Sequence, residues 1–284
     1  MTISTSTIDK SAEIGKANDL LQRLIQKHNI KLRGTGQTIV FAHGFGCDQN
    51  MWRFLSPDFE SSYQTVLYDL MGCGHSAASS YDYDRYATLH GHADDLIEII
   101  QATTDQPVIF VGHSVSAIVG MLATIKRPEL FVCQIMVGPS PCYINDGDYQ
   151  GGFSKAELGE LAEAIESNYL GWSSAMAPKI MGATDQPELA DELTNSFCRM
   201  DPQIAQHFAG VTFGSDHRKE LAESTVPALI IQSSDDFIAQ PVVGKFMQSQ
   251  LPNASLVMVE NIGHCPHMSE PDQSVKAIKD FLAA

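Results

Sequence analysis

Val108-Ile109-Phe110-Val111-Gly112-His113-Ser114-Val115-Ser116-Ala117 is the stretch from which the rest of the chain can be read. Its first four residues are apolar and mostly β-branched, the pattern of a buried strand. From Val115 to Lys126 the pattern is helical, and it stops before Pro128. Only Gly112, His113 and Ser114 lie between, so the chain must turn sharply. Small neighbours let the backbone fold tightly there and lift the Ser114 hydroxyl clear. Strand, sharp turn and helix form the context of a nucleophile elbow. The motif G-x-S-x-G expects glycine where this chain has Ser116. Serine is also small, so the departure weakens the pattern match more than the sterics.

A serine hydroxyl needs a base, and the base needs an orienting carboxylate. After an elbow of this kind the acid and the histidine follow in that order, each on a loop beyond a strand. Asp236 follows the apolar run Ala228-Leu229-Ile230-Ile231, and His264 follows Ser255-Leu256-Val257-Met258-Val259. Both therefore fall at carboxyl ends of strands, where open α/β sheets build their sites. Asp235 is the rival acid; neighbouring loop residues point apart, and Asp236 is favoured. His267 reads as a second histidine near the site, not the base. Cys265 and His267 have too poor a spacing and ligand count for a metal site, and no metal or other cofactor is expected. His43, His75 and His113 sit in turns and are expected to make structural hydrogen bonds. A tetrahedral intermediate needs two amide donors. Val115 supplies one as the residue after the nucleophile, and Phe45, in His43-Gly44-Phe45-Gly46, is the candidate for the other. Asp69-Leu70-Met71-Gly72-Cys73-Gly74-His75-Ser76 lacks a lysine and does not fit G-x-G-x-x-G, so it reads as a structural turn under the site.

Outward from this centre, strands and helices alternate. Thr38–Ala42 and Thr65–Asp69 read as strands, Leu89–Gln101 as a helix, and Gln134–Val137 as a further strand. Apolar strands separated by helices indicate a mostly parallel sheet covered on both faces. From Pro139 to about Ser215 the strand signals stop. Ser154-Lys155-Ala156-Glu157 is a capping box, Pro187 opens a second helix, and Asp201-Pro202 opens a third. A last helix runs from Val275 to Leu282. Before all of this, residues from Asp9 to His28 carry Ile14, Ala17, Leu21, Leu24 and Ile25 at helical spacing. That amphipathic helix must dock on the body of the protein or on a second subunit. The expected organisation is an N-terminal helical extension (1–28), an α/β core (29–138 and 216–284) and a helical lid (139–215).

The 284 residues are 44% hydrophobic and 18% charged, which suits a globular protein with a sizeable core. A net charge of -16 argues against nucleic acid or an anionic membrane as partner. No stretch approaches the roughly 18 apolar residues needed to span a bilayer. The start, MTISTSTIDK, has no basic segment followed by an apolar one, so no secretory signal is expected. Six cysteines without a C-x-x-C pair read as reduced, buried thiols of a cytoplasmic protein.

HGFGCDQNMW, VLYDLMGCGHS, FVGHSVSA, VGPSPCYINDGDYQGGF and GHCPHMSEPD together resemble the RsbQ-type hydrolases, bacterial relatives of the plant karrikin and strigolactone receptor hydrolases. The resemblance runs from about Ile30 to Leu282 and includes the lid segment. It implies an α/β-hydrolase fold with a V-shaped four-helix lid over a closed apolar pocket. It places the triad on Ser114, Asp236 and His264, and pocket contributions on Phe45, Tyr143, Phe153, Trp172, Phe197 and Phe213. The implied activity is hydrolysis of a small hydrophobic ester or lactone through an acyl-enzyme. RsbQ itself acts with a partner phosphatase in stress signalling, so a signalling protein partner is a further expectation, as is a homodimer. The alternative is a ligand sensor whose lid change a partner reads. A dehalogenase or epoxide hydrolase would need an aspartate where Ser114 stands. The elbow GHSVSA is closer to the plant receptors than to the RsbQ pattern, which has glycine at position 116. The N-terminal helix has no counterpart in the family.

Overall fold

The computed structural model describes residues 10–284. In chain order its main elements are α1 (Lys10–His28), β1 (Lys31–Arg33), β2 (Gln37–Ala42), β3 (Tyr63–Tyr68), α2 (Leu89–Thr103), β4 (Val108–His113), α3 (Val115–Lys126) and β5 (Phe131–Val137). They continue with α4 (Lys155–Met181), α5 (Pro187–Cys198), α6 (Pro202–Gly214), β6 (Ala228–Asp235), α7 (Pro241–Gln250), β7 (Ala254–Ile262), α8 (Pro266–Ser269) and α9 (Pro271–Leu282). The strands form one sheet in the order β1-β3-β2-β4-β5-β6-β7. All neighbours are parallel except β1, which runs antiparallel to β3.

Alternation along the strands sends side chains to two separate cores. In β2, Val40 and Ala42 face a large core shared with α2, α3, α7 and the inserted helices. Ile39 and Phe41 face a smaller one with Trp52, Leu55, Phe59 and α9. The central strand β4 divides its residues in the same way, with Val108 and Phe110 on one side and Ile109 and Val111 on the other. Each fully buried side chain of this size contributes about 1.5–3 kcal/mol of transfer free energy.

Between β5 and β6 the chain leaves the sheet for the inserted helices. Its exit and return are tied by the antiparallel bridge Cys142–Asp216 and by the His217 amide, which donates to Pro141 O (2.8 Å). The capping box at Ser154 is formed: Glu157 N donates to Ser154 Oγ (3.2 Å), and Ser154 N to Glu157 Oε2 (2.7 Å). Asp201 caps α6, accepting from Gln203 N and Ile204 N. Sequence spacing marks three helices here, but α4 is broken in the middle. Asn168 leaves helical geometry (φ -156°, ψ 74°), and its Oδ1 accepts from Gly171 N (3.0 Å), a side-chain cap that starts a new helix. The halves 155–167 and 169–181, with α5 and α6, make four helical segments.

At the other end of the chain, α1 docks on the body through its last turns. Leu24 joins the large core, Lys27 pairs with Asp95 (3.0 Å), and Asp69 N donates to His28 O (2.8 Å). Leu20 is exposed. Asp9, like the rest of residues 1–9 of the expected extension, and the side chains of Ile14 and Ala17 lie outside the described residues. No helix among the described residues is long and apolar enough to cross a membrane.

Candidate active site

Ser114 sits at φ 55°, ψ -122° between β4 and α3, one of only two non-glycine residues with positive φ among the described residues. An L-residue is held in such a conformation only when its surroundings over-determine it, and these outliers concentrate at functional sites. Here the Ser114 amide donates to Val137 O (2.8 Å), and the Ser114 carbonyl accepts from Ala117 N (2.9 Å). Glycine is required nearby. A Cβ on Gly112 would lie 2.6 Å from Ser116 O, and one on Gly44 would lie 2.7 Å from His113 Nδ1.

Two other loops meet the serine. His264 Nε2 is 2.8 Å from Ser114 Oγ, and His264 Nδ1 is 2.7 Å from Asp236 Oδ2. An ionised carboxylate only accepts, so Nδ1 carries the proton and Nε2 is free to accept from the serine hydroxyl. The remaining Asp236 oxygen accepts from Ile238 N (2.8 Å) and Ala239 N (3.0 Å), and Gln232 Nε2 stands 3.4 Å from Oδ2. Asp236 is buried while Asp235 is exposed, so of the two neighbouring acids Asp236 is the one brought to His264. The His264 loop is itself fastened twice. Its amide donates to Ile180 O (2.7 Å), and His113 Nε2 donates to its carbonyl (2.9 Å).

Beneath these groups stands a row of buried rings: Trp52, His267, His113 and His264, with successive centroids 4.6, 4.4 and 4.9 Å apart. Burial pushes His113 well below the usual histidine range and His267 down to about 3, so both are neutral spacers. Among the described residues no cluster of three or more potential metal ligands forms, Cys265 and His267 included. Burial also pushes the thiols of Cys47 and Cys265 up, which keeps both protonated and poor as nucleophiles. All six cysteines are free. The glycine-rich turn after β3 is held by Asp69, whose carboxylate accepts from Gln49 N and His75 N (both 2.8 Å).

Above Ser114 is a small cavity of about 30 Å³. Phe45, Tyr143, Trp172, Phe197 and Phe213 line it, with Cys47, Leu193, Thr212 and Ile238. Phe45 is the hub of the aromatic wall, with ring centroids of Phe208, Phe197, Phe213 and Trp172 at 5.4 to 6.4 Å. Burial pushes the Tyr143 phenol up to about 12, while its hydrogen bond to Ser114 acts in the opposite sense. Phe153 does not line this cavity; it precedes the cap of α4 and its ring packs on Phe237 (5.7 Å). Thr212 and Ile238 carry no sequence signal for the site, because only the tertiary fold brings α6 and the loop after β6 over Ser114. Two buried polar atoms of the wall, Trp172 Nε1 and Thr212 Oγ1, lack a hydrogen-bond partner among the described residues.

Comparison with known proteins gives the family. The alpha/beta hydrolase family pattern matches residues 39–277. Karrikin insensitive 2 receptor CA of Petunia hybrida is 41% identical over 249 residues, spanning 87% of this chain and 92% of its own. Strigolactone esterase D14 of Arabidopsis thaliana is 37% identical over 261 residues, spanning 91% and 97%. Among solved structures, the hydrolase olei00960 from Oleispira antarctica matches with a TM-score of 0.90 at 39% identity, over 93% of this chain and 97% of that one. With a strained serine joined to histidine and aspartate at the carboxyl edge of a parallel sheet, the chain belongs to the alpha/beta hydrolase family.

Proposed function

We propose that the protein is a serine hydrolase that cleaves a small hydrophobic ester or lactone through an acyl-enzyme. One observation carries this reading: the continuous chain Asp236–His264–Ser114, with contacts of 2.7 and 2.8 Å, under an aromatic roof. His264 Nε2 takes the hydroxyl proton as Ser114 Oγ attacks the substrate carbonyl. The resulting oxyanion sits between the amides of Phe45 and Val115. Val115 is the first residue of α3, so its N–H has no acceptor within the helix. His264 passes the proton to the departing alkoxide, which leaves as an alcohol or, for a lactone, stays tethered to the acyl group. Water, deprotonated by His264, then attacks the acyl-enzyme and frees Ser114. Asp236 keeps His264 in the required tautomer and stabilises the imidazolium. The apolar wall favours a hydrophobic substrate, and Trp172 Nε1 and Thr212 Oγ1 can each pair with a polar atom on it.

The direct test is hydrolysis of a short-chain nitrophenyl ester. Ser114→Ala should lower kcat by at least about 10⁴-fold with the fold intact by circular dichroism. Full activity in that variant would sink the assignment.

A second reading has its own observation. The cavity over Ser114 is narrow, about 30 Å³, and Trp172, Leu193, Phe197, Thr212 and Phe213 of the lid form part of its wall, so substrate entry is coupled to the lid. A molecule whose ligand reshapes the lid can act as a sensor, its altered surface read by a partner protein, with slow hydrolysis. Relatives named as receptors favour this reading. Rapid multiple turnover of a metabolite without any change in lid protease sensitivity would count against it.

A further inference from the structure

We propose that Ser116, the residue that breaks the G-x-S-x-G pattern, is a positioning residue that holds the oxyanion loop against the nucleophile elbow. The inference rests on the ester-hydrolase reading of the site. The parallel ladder between β2 and β4 ends at the pair Ala42–Gly112. Beyond that pair the two strands part, one into the His43-Gly44-Phe45-Gly46 loop and the other into the elbow. The next tie between them is the Ser116 hydroxyl, which donates to His43 O at 2.5 Å from the first turn of α3. Both residues are fully buried, so water does not compete for the bond.

A serine deep inside a helix can bond the carbonyl three or four residues back, but Ser116, the second residue of α3, has no helical carbonyl there. Here the hydroxyl reaches a different element instead. The bonded carbonyl belongs to the His43–Gly44 peptide, one residue before the Phe45 amide. Fixing that peptide plane fixes the direction in which the following N–H groups leave the loop. The rest of the loop is braced consistently. Leu70 N donates to His43 Nε2 (3.1 Å), which leaves the ring proton on Nδ1 to donate to Gly44 O (2.8 Å). Ser196 of the lid donates to Gly46 O (2.9 Å). Among these ties, only the Ser116 bond joins the loop to the segment that carries Ser114. Glycine at 116 has no hydroxyl and would leave His43 O without this donor.

The test uses the full chain, with Ser116→Ala and Ser116→Gly each measured beside wild type. Three readouts are taken: kcat and KM on a nitrophenyl ester, inhibition by phenylboronic acid, and the pH midpoint of kcat/KM. The boronic acid forms a tetrahedral adduct on Ser114 whose oxygen occupies the oxyanion position. Both variants should lose roughly 10-fold in kcat with KM within about twofold, since a misdirected amide costs transition-state binding only. Boronate affinity should fall by a similar factor, and the pH midpoint, which reports His264, should not move. A purely structural serine would lower thermal stability and leave kcat of the folded enzyme and boronate affinity alone, which would overturn the proposal. So would a shifted midpoint, which would place the effect on the base. Absence of turnover by wild type would overturn the esterase reading and the inference with it. Normal wild-type turnover with unimpaired variants would overturn the inference only. Ser116→Gly, the residue of the commoner motif, keeps the comparison available if Ser116→Ala does not fold.

Discussion

The floor and the roof of the cavity are built on different physics. The floor consists of Ser114, His264, Asp236 and the loops that carry them, and its groups are held by directed hydrogen bonds from several elements. Asp236 alone receives bonds from His264, Ile238 and Ala239. The roof is a stack of aromatic rings, with Trp172 lying between Tyr169 and Phe197 at 5.9 and 5.5 Å. Ring contacts are weakly directional and can be remade after a displacement. The roof is fastened to the body by polar ties at its edge, where Glu192 pairs with Arg53 and Arg199 with Asp48. The polar groups of the floor are therefore fixed, while the space above them is adjustable. A second, roomier cleft of about 410 Å³ opens on the other face of the roof, between the first half of α4 and α6, and shares Phe213 with the cavity at Ser114.

After Ser114 itself, the floor is most sensitive at Asp236. Asp236→Asn keeps an oxygen for the Ile238 and Ala239 amides, but its NH₂ faces His264 and forces the proton onto Nε2. A loss of about 10³- to 10⁴-fold in kcat is expected, with KM little changed, read by steady-state kinetics. A loss below tenfold would mean that Asp236 does not set the tautomer.

Acid should act on the buried histidines: His113 and His267 under the floor, and His92 of α2, whose ring packs on Phe208 of the roof (4.7 Å). Burial holds His92 and His267 at about 3 and His113 well below the normal value of 6.5. Their folded pKa values lie below the unfolded ones, so the unfolded chain binds more protons in between. The stability they contribute is complete above about pH 6.5 and is lost as pH falls below it, toward about 3 for His92 and His267. Three histidines give a slope of up to about 4 kcal/mol per pH unit in that window. Chemical denaturation at pH 7, 6 and 5 should show the loss, and constant stability across these values would contradict the burial argument.

The smallest effect is expected at the roof's edge. Glu192→Gln weakens a half-exposed pair with Arg53, so stability should fall by no more than about 1 kcal/mol. Lid opening should become easier, seen as faster protease cleavage within residues 155–181 in the absence of ligand.

What could be read from sequence follows the same divide. The floor depends on local signals. A short apolar strand, a glycine, a serine and a helix make the elbow, and Asp236 and His264 stand after two further apolar runs. The strand β1 has no such signal, being three exposed residues paired antiparallel at the sheet edge. The roof was less legible. Capping signals at Ser154, Pro187 and Asp201 mark three helix starts. The break at Asn168 lies inside a continuous helical pattern and appears only through its side-chain cap on Gly171. Phe153 belongs to the aromatic set that the family resemblance implies, yet its place before the α4 cap turns it toward Phe237. The Ser116–His43 bond links residues 73 apart and could not be inferred from a motif that treats Ser116 as a mismatch.

Every step proposed for the floor requires Ser114 to be the nucleophile. Incubating the protein with a fluorophosphonate ester and measuring its intact mass and peptide map tests it most directly. One adduct per chain is expected, on Ser114, with fluoride lost and the adduct absent from Ser114→Ala. No adduct, or an adduct on another residue in wild type, would contradict it.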